Sequence, residues 1–438
     1  MLKFYMMRLI TFILLLLGSM SAFSQSMYFP PLNQTDNWDT LSPTQLSWCP
    51  SRIDSLYLFL DQEKTKGFIV LKDGKIVLEK YFGTFTQDSI WYWASASKTL
   101  TGFMIGQAQE QGLIDIQNPS SNYLGSGWSA CTPLQENDIK VIDHLRMSTG
   151  LNDNVADKNC VIDTCLKYLA QPDIRWAYHN APYLLLKTMI ENISQQSINQ
   201  FTTAQVKNKI AMTGIWAVSN GEETYYSKVR SMARFGLLIH NNGIWNNDTL
   251  LKSSTYKNAM LNTSQTMNLS YGYLWWLNGK ASHMLPGLQT VFPTSLCPNA
   301  PTDMIAAIGK NGQLISIAKS RGLVIIRMGE DANTNSANVS TILLDDIWQH
   351  INGLNCEPTN ITPVQNEVQL IQNPVVNTLK FSLSSKQNYS TSIFNMQGNK
   401  IYYSSNINFI DISSYSKGMY LLQVRQGSNS FTNKFLKE

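Results

Sequence analysis

The sequence predicts an α+β unit, an antiparallel sheet flanked by helices with a largely helical region over about residues 100–250, followed by a small all-β sandwich. Three observations point there. The run Thr99–Gly112 places Leu100, Phe103, Met104 and Ala108 on one side of a helix. Strand-like runs on either side of the turn Lys319-Ser-Arg-Gly322 read as a late antiparallel pair. After Cys356 the composition changes: a polar segment containing Pro358 and Pro363 precedes short alternating runs separated by turn residues.

Residues 1–24 read as a secretory signal peptide. Lys3 and Arg8 give the positive start, Leu9–Leu17 the apolar core, and Ala22-Phe23-Ser24 the small-x-small cleavage site. The apolar run is shorter than the roughly 20 residues a membrane span needs. No later stretch is long enough, so no integral membrane span is expected after cleavage. The net charge of +4 becomes +2 once Lys3 and Arg8 are removed. With Lys and Arg scattered and no basic block, nucleic acid is not an expected partner.

The chemistry centres on Ser95-Ala96-Ser97-Lys98, at the head of the first amphipathic run. Side chains three apart share a helix face. Ser95 and Lys98 therefore meet where unpaired backbone N–H groups favour negative charge. That suits a serine nucleophile whose proton leaves to an amine. The spacing recurs at Ser254–Lys257, Ser316–Lys319 and Ser414–Lys417, but only Ser95 combines a preceding aromatic stretch (Trp91-Tyr92-Trp93) with a following helical pattern. Downstream, Trp176-Ala177-Tyr178-His179-Asn180 leads into an apolar stretch ending at Ile190. His144, His179, His240, His283 and His350 form no metal-binding spacing, and no G-x-S-x-G elbow, P-loop or G-x-G-x-x-G string occurs. Neither a metal nor an organic cofactor is expected.

These segments, in this order, resemble the serine hydrolases of the beta-lactamase-related, penicillin-recognising superfamily, including class C enzymes, esterases and 6-aminohexanoate-dimer hydrolases. There S-x-x-K carries the nucleophile and its lysine, and Tyr-x-Asn, here Tyr178-His179-Asn180, is the second motif. His144–Leu151 is similar to the family's segment between the motifs, Phe68–Gly83 to the hairpin before the nucleophile, and Tyr271–Leu277 to another common segment. The likeness covers roughly residues 48–352. It implies a beta-lactamase-like fold whose sheet pairs the hairpin near 68–82 with strands near 303–328, the site lying between sheet and helical region. The third motif departs from Lys-Thr-Gly: Gly309-Lys310-Asn311-Gly312-Gln313 looks like the Gly-x-x-Gly-Gln form of some relatives.

The resemblance implies that Ser95 attacks a carbonyl carbon and that Lys98 or Tyr178, assigned jointly, takes its proton. A lysine at its ordinary pKa of roughly 10.4 is a poor base at neutral pH, and burial or a second cation would depress it. Asn180 would orient Lys98 or the substrate, or else cap the helix that follows. The oxyanion donors would be the Ser95 N–H and one near Lys310, within the edge Gly309, Lys310, Asn311 and Gly312. The expected reaction is hydrolysis of an ester or amide: small esters first, then D-amino-acid peptides or short amide oligomers, with beta-lactam turnover in doubt. Competing readings are a catalytically silent penicillin-fold binding protein and a secreted adhesin.

Six cysteines remain after cleavage, an even number that permits disulfides in an exported chain, and Cys160 and Cys165 are close enough to close a local loop. Domain limits follow as 25–355 for the hydrolase, 356–366 for a linker and 367–438 for the tail. The tail resembles the type A sorting domain of Bacteroidetes type IX secretion through Asn373-Pro374-Val375, Gly398, Asp411-Ile412-Ser413, Gly418-Met419-Tyr420 and Lys434–Lys437. That likeness implies the type IX secretion machinery as a partner, passage through the periplasm, and a secreted or cell-surface protein.

Overall fold

The computed structural model describes residues 27–33, 37–219, 222–330, 340–356, 368–383, 388–427 and 429–438. The expected signal peptide, residues 1–24, and most of the expected linker, residues 356–366, lie outside the described residues. The chain divides into two units, residues 1–356 and 357–438.

The first unit is built on a six-stranded antiparallel sheet. Its strands are β1 (Thr65–Lys72), β2 (Lys75–Tyr81), β8 (Trp276–Leu277), β9 (Ile305–Gly309), β10 (Gln313–Ala318) and β11 (Leu323–Gly329). They are ordered β2-β1-β11-β10-β9-β8, so the early hairpin pairs directly with the late strands. β9, β10 and β11 are buried along their whole length, and their sequences are near-continuous apolar runs.

Alternation along β10 shows what covers the two faces. A Cβ on Gly236, in helix α4 (Val229–His240), would lie 3.1 Å from Ile315 and 2.8 Å from Val324. The missing side chain thus lets α4 settle onto the sheet. The adjacent Ser316 points the other way and accepts a 3.0 Å hydrogen bond from the Trp348 indole of α5 (Thr341–Asn352). Helix α1 (Pro50–Gln62) packs against α5 and β1.

The remaining elements frame the site. Helix α2 (Lys98–Glu110) is buried from Lys98 to Ala108, and α3 (Asn180–Ser194) packs against it. A small antiparallel sheet of β3 (Trp91–Tyr92), β5 (Glu222–Ser227) and β4 (Ile215–Ser219) stands beside the turn that holds Ser95, and β6 (Ile244–Trp245) pairs with β7 (Asp248–Thr249). Disulfides join Cys49 to Cys356 and Cys160 to Cys165, while Cys131 and Cys297 are free thiols. Cys356 thus belongs to the first unit: its N–H also bonds the Ser47 carbonyl at 2.8 Å.

The second unit holds two antiparallel sheets. One is β12 (Val368–Leu370), β13 (Thr378–Leu383) and β16 (Phe409–Asp411); the other is β15 (Lys400–Ser405), β14 (Ser390–Asn395), β17 (Gly418–Gln426) and β18 (Asn429–Lys437). Alternate residues such as Leu379, Phe381, Ile393, Leu422, Val424 and Phe435 form its own core. No helix among the described residues is long and apolar enough to cross a membrane.

Candidate active site

Ser95 sits in a 3-10 turn, Ala94–Ser97, that runs straight into α2. The turn is pinned from β5. Trp93 gives its N–H to the Tyr225 carbonyl at 2.8 Å and its indole N–H to Ser227 Oγ at 2.8 Å. The Ala94 carbonyl accepts from Ser97 Oγ at 2.7 Å and Thr224 Oγ1 at 3.0 Å. Ala94 holds φ at 48°, a left-handed value uncommon for alanine, which these bonds over-determine. Lys98, the first residue of α2, is 3 % exposed and donates from Nζ to Ser95 Oγ at 2.9 Å.

Tyr178 approaches Ser95 from the segment before α3. Burial holds its hydroxyl well above the usual tyrosine range, with a Ser95 hydrogen bond acting in the opposite direction. Its ring is stacked on Trp276 (5.9 Å between centroids) and edge-on to Tyr271 (6.2 Å). Lys98 Nζ stands 5.0 Å from the Tyr178 ring centre and 4.5 Å from that of Tyr183. Serine, lysine and tyrosine therefore form one cluster with an aromatic wall. Trp275 is fully buried in the core, whereas Trp276 belongs to that wall.

The stretch His144–Leu151 is scaffold for this cluster. The Ala177 N–H bonds the Met147 carbonyl at 2.9 Å, and the Leu274 N–H bonds the Leu145 carbonyl at 3.0 Å. His144 Nδ1 meets the Pro182 carbonyl at 2.7 Å and Nε2 meets Ser120 Oγ at 3.0 Å. Burial lowers the His144 pKa to about 4, so a neutral ring links these segments.

Asn180 does not cap α3. The N-cap residue is His179, which makes no side-chain cap bond, and Asn180 instead donates Nδ2 to Asn159 Oδ1 at 2.9 Å. Asn159 immediately precedes the loop closed by Cys160–Cys165, and this approach to the loop is fixed to α3 by the Ala181 N–H on the Lys158 carbonyl at 2.9 Å.

The edge Gly309–Gly312 divides in two. A Cβ on Gly309 would stand 2.4 Å from the Trp93 carbonyl oxygen and 3.0 Å from the Ala96 nitrogen, so the end of β9 rests against the Ser95 turn. Exposed Lys310 lines the same cleft, of about 350 Å³, as Ser95, Tyr178, Asn180, Asn159 and Lys158. Asn311 and Gly312 do not line it. Asn311, at φ 63°, ties the turn to the Tyr92 hydroxyl at 2.6 Å, and Gly312 bonds Ser340 Oγ at 3.0 Å and the Arg327 guanidinium at 2.7 Å.

Sequence reasoning missed a neighbouring group. Lys187, one turn after Tyr183 on α3 and 3 % exposed, is ion-paired with Glu223 of β5. Its Nζ lies 5.4 Å from the Tyr183 ring and 4.7 Å from that of Trp216, so Tyr183 sits between two ammonium groups. Glu223 and Thr224 border the small recess behind Ser95 and Lys98. The available signal was one lysine inside the apolar run Tyr183–Ile190.

Comparison with known proteins identifies the family and the fold. Residues 62–343 match the model of the Beta-lactamase family, and residues 372–438 match the Secretion system C-terminal sorting domain. No curated protein matches the chain. Among solved structures, one named as a 6-aminohexanoate-dimer hydrolase from Bacillus anthracis superposes with a TM-score of 0.57 at 18 % identity, covering 75 % of this chain and 91 % of that one. Another, named as a beta-lactamase from Bacteroides dorei, gives a TM-score of 0.57 at 16 % identity, covering 70 % of this chain and 99 % of that one. At these identities the two likenesses establish the fold. The sorting domain indicates export by type IX secretion, to the cell surface or beyond it. The chain belongs to the beta-lactamase family, within the serine hydrolase superfamily, and carries a secretion sorting domain at its C-terminal end.

Proposed function

We propose that this protein hydrolyses an ester or amide through an acyl-enzyme on Ser95. The observation that carries the reading is the 2.9 Å contact between Lys98 Nζ and Ser95 Oγ, with Tyr178 on the same hydroxyl. Ser95 Oγ bonds to the carbonyl carbon while its proton passes into the Lys98–Tyr178 pair. The oxyanion is held by the N–H groups of Ser95 and Lys310. Collapse breaks the bond to the alcohol or amine, which leaves with the proton returned through Tyr178. Water then attacks the acyl carbon, losing its proton to the same pair; the bond from that carbon to Ser95 Oγ breaks, Ser95 takes the proton back, and the carboxylic acid leaves. Asn180, tied to Asn159, positions the cleft wall.

Small esters are the first substrate class. Lys158 and Lys310 outnumber Asp157 on the cleft, which favours a substrate bearing a carboxylate, and a lower KM for a free acid than for its methyl ester would mark it. The test is p-nitrophenyl acetate and butyrate hydrolysis by residues 25–438, alongside Ser95→Ala, Lys98→Ala and Tyr178→Phe, with a chromogenic cephalosporin in parallel. Loss of turnover in all three variants supports the reading. Ester turnover that survives Ser95→Ala sinks it. A folded wild type that neither turns over esters nor is labelled by a fluorophosphonate is a binding protein.

A further inference from the structure

The cleft around Ser95 is walled by residues 156–159 and by Pro286–Gly287. From each wall the chain runs directly into exposed aliphatic side chains. Val161 and Ile162, 39 % and 61 % exposed, follow Asn159, and Leu288, 44 % exposed, follows Gly287. Leu169, Ile174 and Val291 add to them, so these two loops carry six of the fourteen exposed large aliphatic side chains among the described residues of the first unit. Single exposed leucines are ordinary, but such a concentration beside a cleft marks a contact surface.

Both loops are held in this form. The Cys160–Cys165 bridge closes the tip that carries Val161 and Ile162. The Asn152 N–H bonds the Lys167 carbonyl at 2.8 Å, and the Leu169 and Ala170 N–H groups share the Gly150 carbonyl at 3.0 Å. In the facing loop the His283 and Phe292 backbones exchange bonds of 3.0 and 2.9 Å. Gln289 Nε2 reaches the Trp176 carbonyl at 3.1 Å, which ties the Leu288–Val291 loop to the segment just after Ile174 and joins the two loops in one rim. An occupant that begins at Ser95 and leaves the cleft must pass along this rim. Inside the cleft Lys158 and Lys310 suit a carboxyl head; outside it the aliphatic side chains suit a chain without polar groups. Resting on the Ser95 acyl-enzyme, we propose that the rim takes the aliphatic chain of a medium-chain carboxylic acid, of about eight carbons or more, delivered as its ester. The substrate class thereby extends beyond the small esters that the cleft alone would hold.

The experiment compares kcat/KM for p-nitrophenyl decanoate, kept monomeric, with that for the butyrate, in the full chain and in Ile162→Ser/Leu288→Ser. A methylene taken fully out of water is worth about fourfold in binding, and less on an open rim, so the decanoate should be favoured by about tenfold or more. The double variant should bring that ratio close to one and melt like the parent, since both side chains are exposed. In parallel cis-parinaric acid, a fluorescent fatty acid, is titrated into the Ser95→Ala full chain. Its saturable binding should weaken by about tenfold or more when the two rim serines are added. Where esters are turned over, their ratio decides: no preference for the decanoate, or a preference that survives the double variant, overturns the proposal and leaves the acyl-enzyme standing. Where neither ester turns over and no fluorophosphonate labels Ser95, the acyl-enzyme fails and the fatty acid decides. Binding that depends on the rim then upholds the proposal; no binding, or binding indifferent to the two serines, overturns it.

Discussion

Replacing Gly309 with alanine would put a methyl carbon 2.4 Å from the Trp93 carbonyl oxygen and 3.0 Å from the Ala96 nitrogen. Both are backbone atoms of the nucleophile turn, which β5 already anchors through Tyr225, Thr224 and Ser227. The turn cannot give way, so the end of β9 must. Restoring ordinary contact requires it to retreat by about 1 Å, a misplacement that costs on the order of 100-fold in rate when it falls on a reacting geometry. Lys310, the next residue, carries the proposed second oxyanion donor, so the loss should appear in kcat more than in KM. The rest of β9 stays paired with β10 from Ile305 to Ile308, so the fold should persist. The assay is p-nitrophenyl butyrate turnover with a melting curve and fluorophosphonate labelling on the same sample. A Gly309→Ala enzyme with wild-type kcat and melting temperature would refute the placement of the oxyanion site at this edge.

Other outcomes follow from the same geometry. Asn159→Ala removes the partner of Asn180 and should reduce kcat/KM several-fold with little loss of stability, by ester kinetics and urea titration. His144, His179 and His240 have folded pKa values lowered by burial from 6.5 to about 4. Their neutral forms contribute stability above pH 6.5 that is lost as pH falls toward 4, so the urea midpoint should drop over that window. His240→Leu should flatten part of the slope. Asp143 runs the other way: burial raises its pKa from 3.8 to about 6, so its share is present below pH 4 and lost as pH rises through 6. Asp143→Asn keeps an acceptor for the Lys140 N–H and should be about 3 kcal/mol more stable at pH 7.5 but not at pH 3.5. In the chain-entropy model, closing the 307-residue separation of Cys49–Cys356 stabilises by about 5–6 kcal/mol, against about 2 for the 5-residue separation of Cys160–Cys165. Serine pairs at the two sites should rank in that order by urea unfolding.

What the sequence disclosed depended on how local the cause was. Ser95 and Lys98 were legible because three-residue spacing on a helix start brings them together whatever the rest of the chain does. Their link to Tyr178 came only through resemblance, since the intervening residues carry no periodicity that sets a distance. The sheet was legible because strands buried on both faces leave long apolar runs, as in Leu323–Met328. Asn180 was ambiguous, because an asparagine before an apolar helix satisfies both a capping and a site reading. Its partner Asn159 is 21 residues away, and only the fold decides. Gly309 looked like one glycine among two in a turn. Its constraint comes from a backbone segment more than 200 residues earlier, with no local trace. The Lys187–Glu223 pair was hidden likewise, one member on a helix and the other on a strand.

The bond between Cys49 and Cys356 also determines how the hydrolase unit meets mechanical load. Tension applied through residues after 356 reaches Cys356 and passes across the sulfurs to Cys49. Everything between them, including the sheet, the nucleophile turn and the Tyr178 cluster, forms a covalent loop that carries no part of the pull. Without the bridge the same tension would act first on the bond from the Cys356 N–H to the Ser47 carbonyl, then on that from the Cys49 N–H to the Leu354 carbonyl, each 2.8 Å, and then peel α5 from the sheet. An exported chain drawn by its C-terminal end is thereby strung at one knot, with the Ser95 cluster off the line of force.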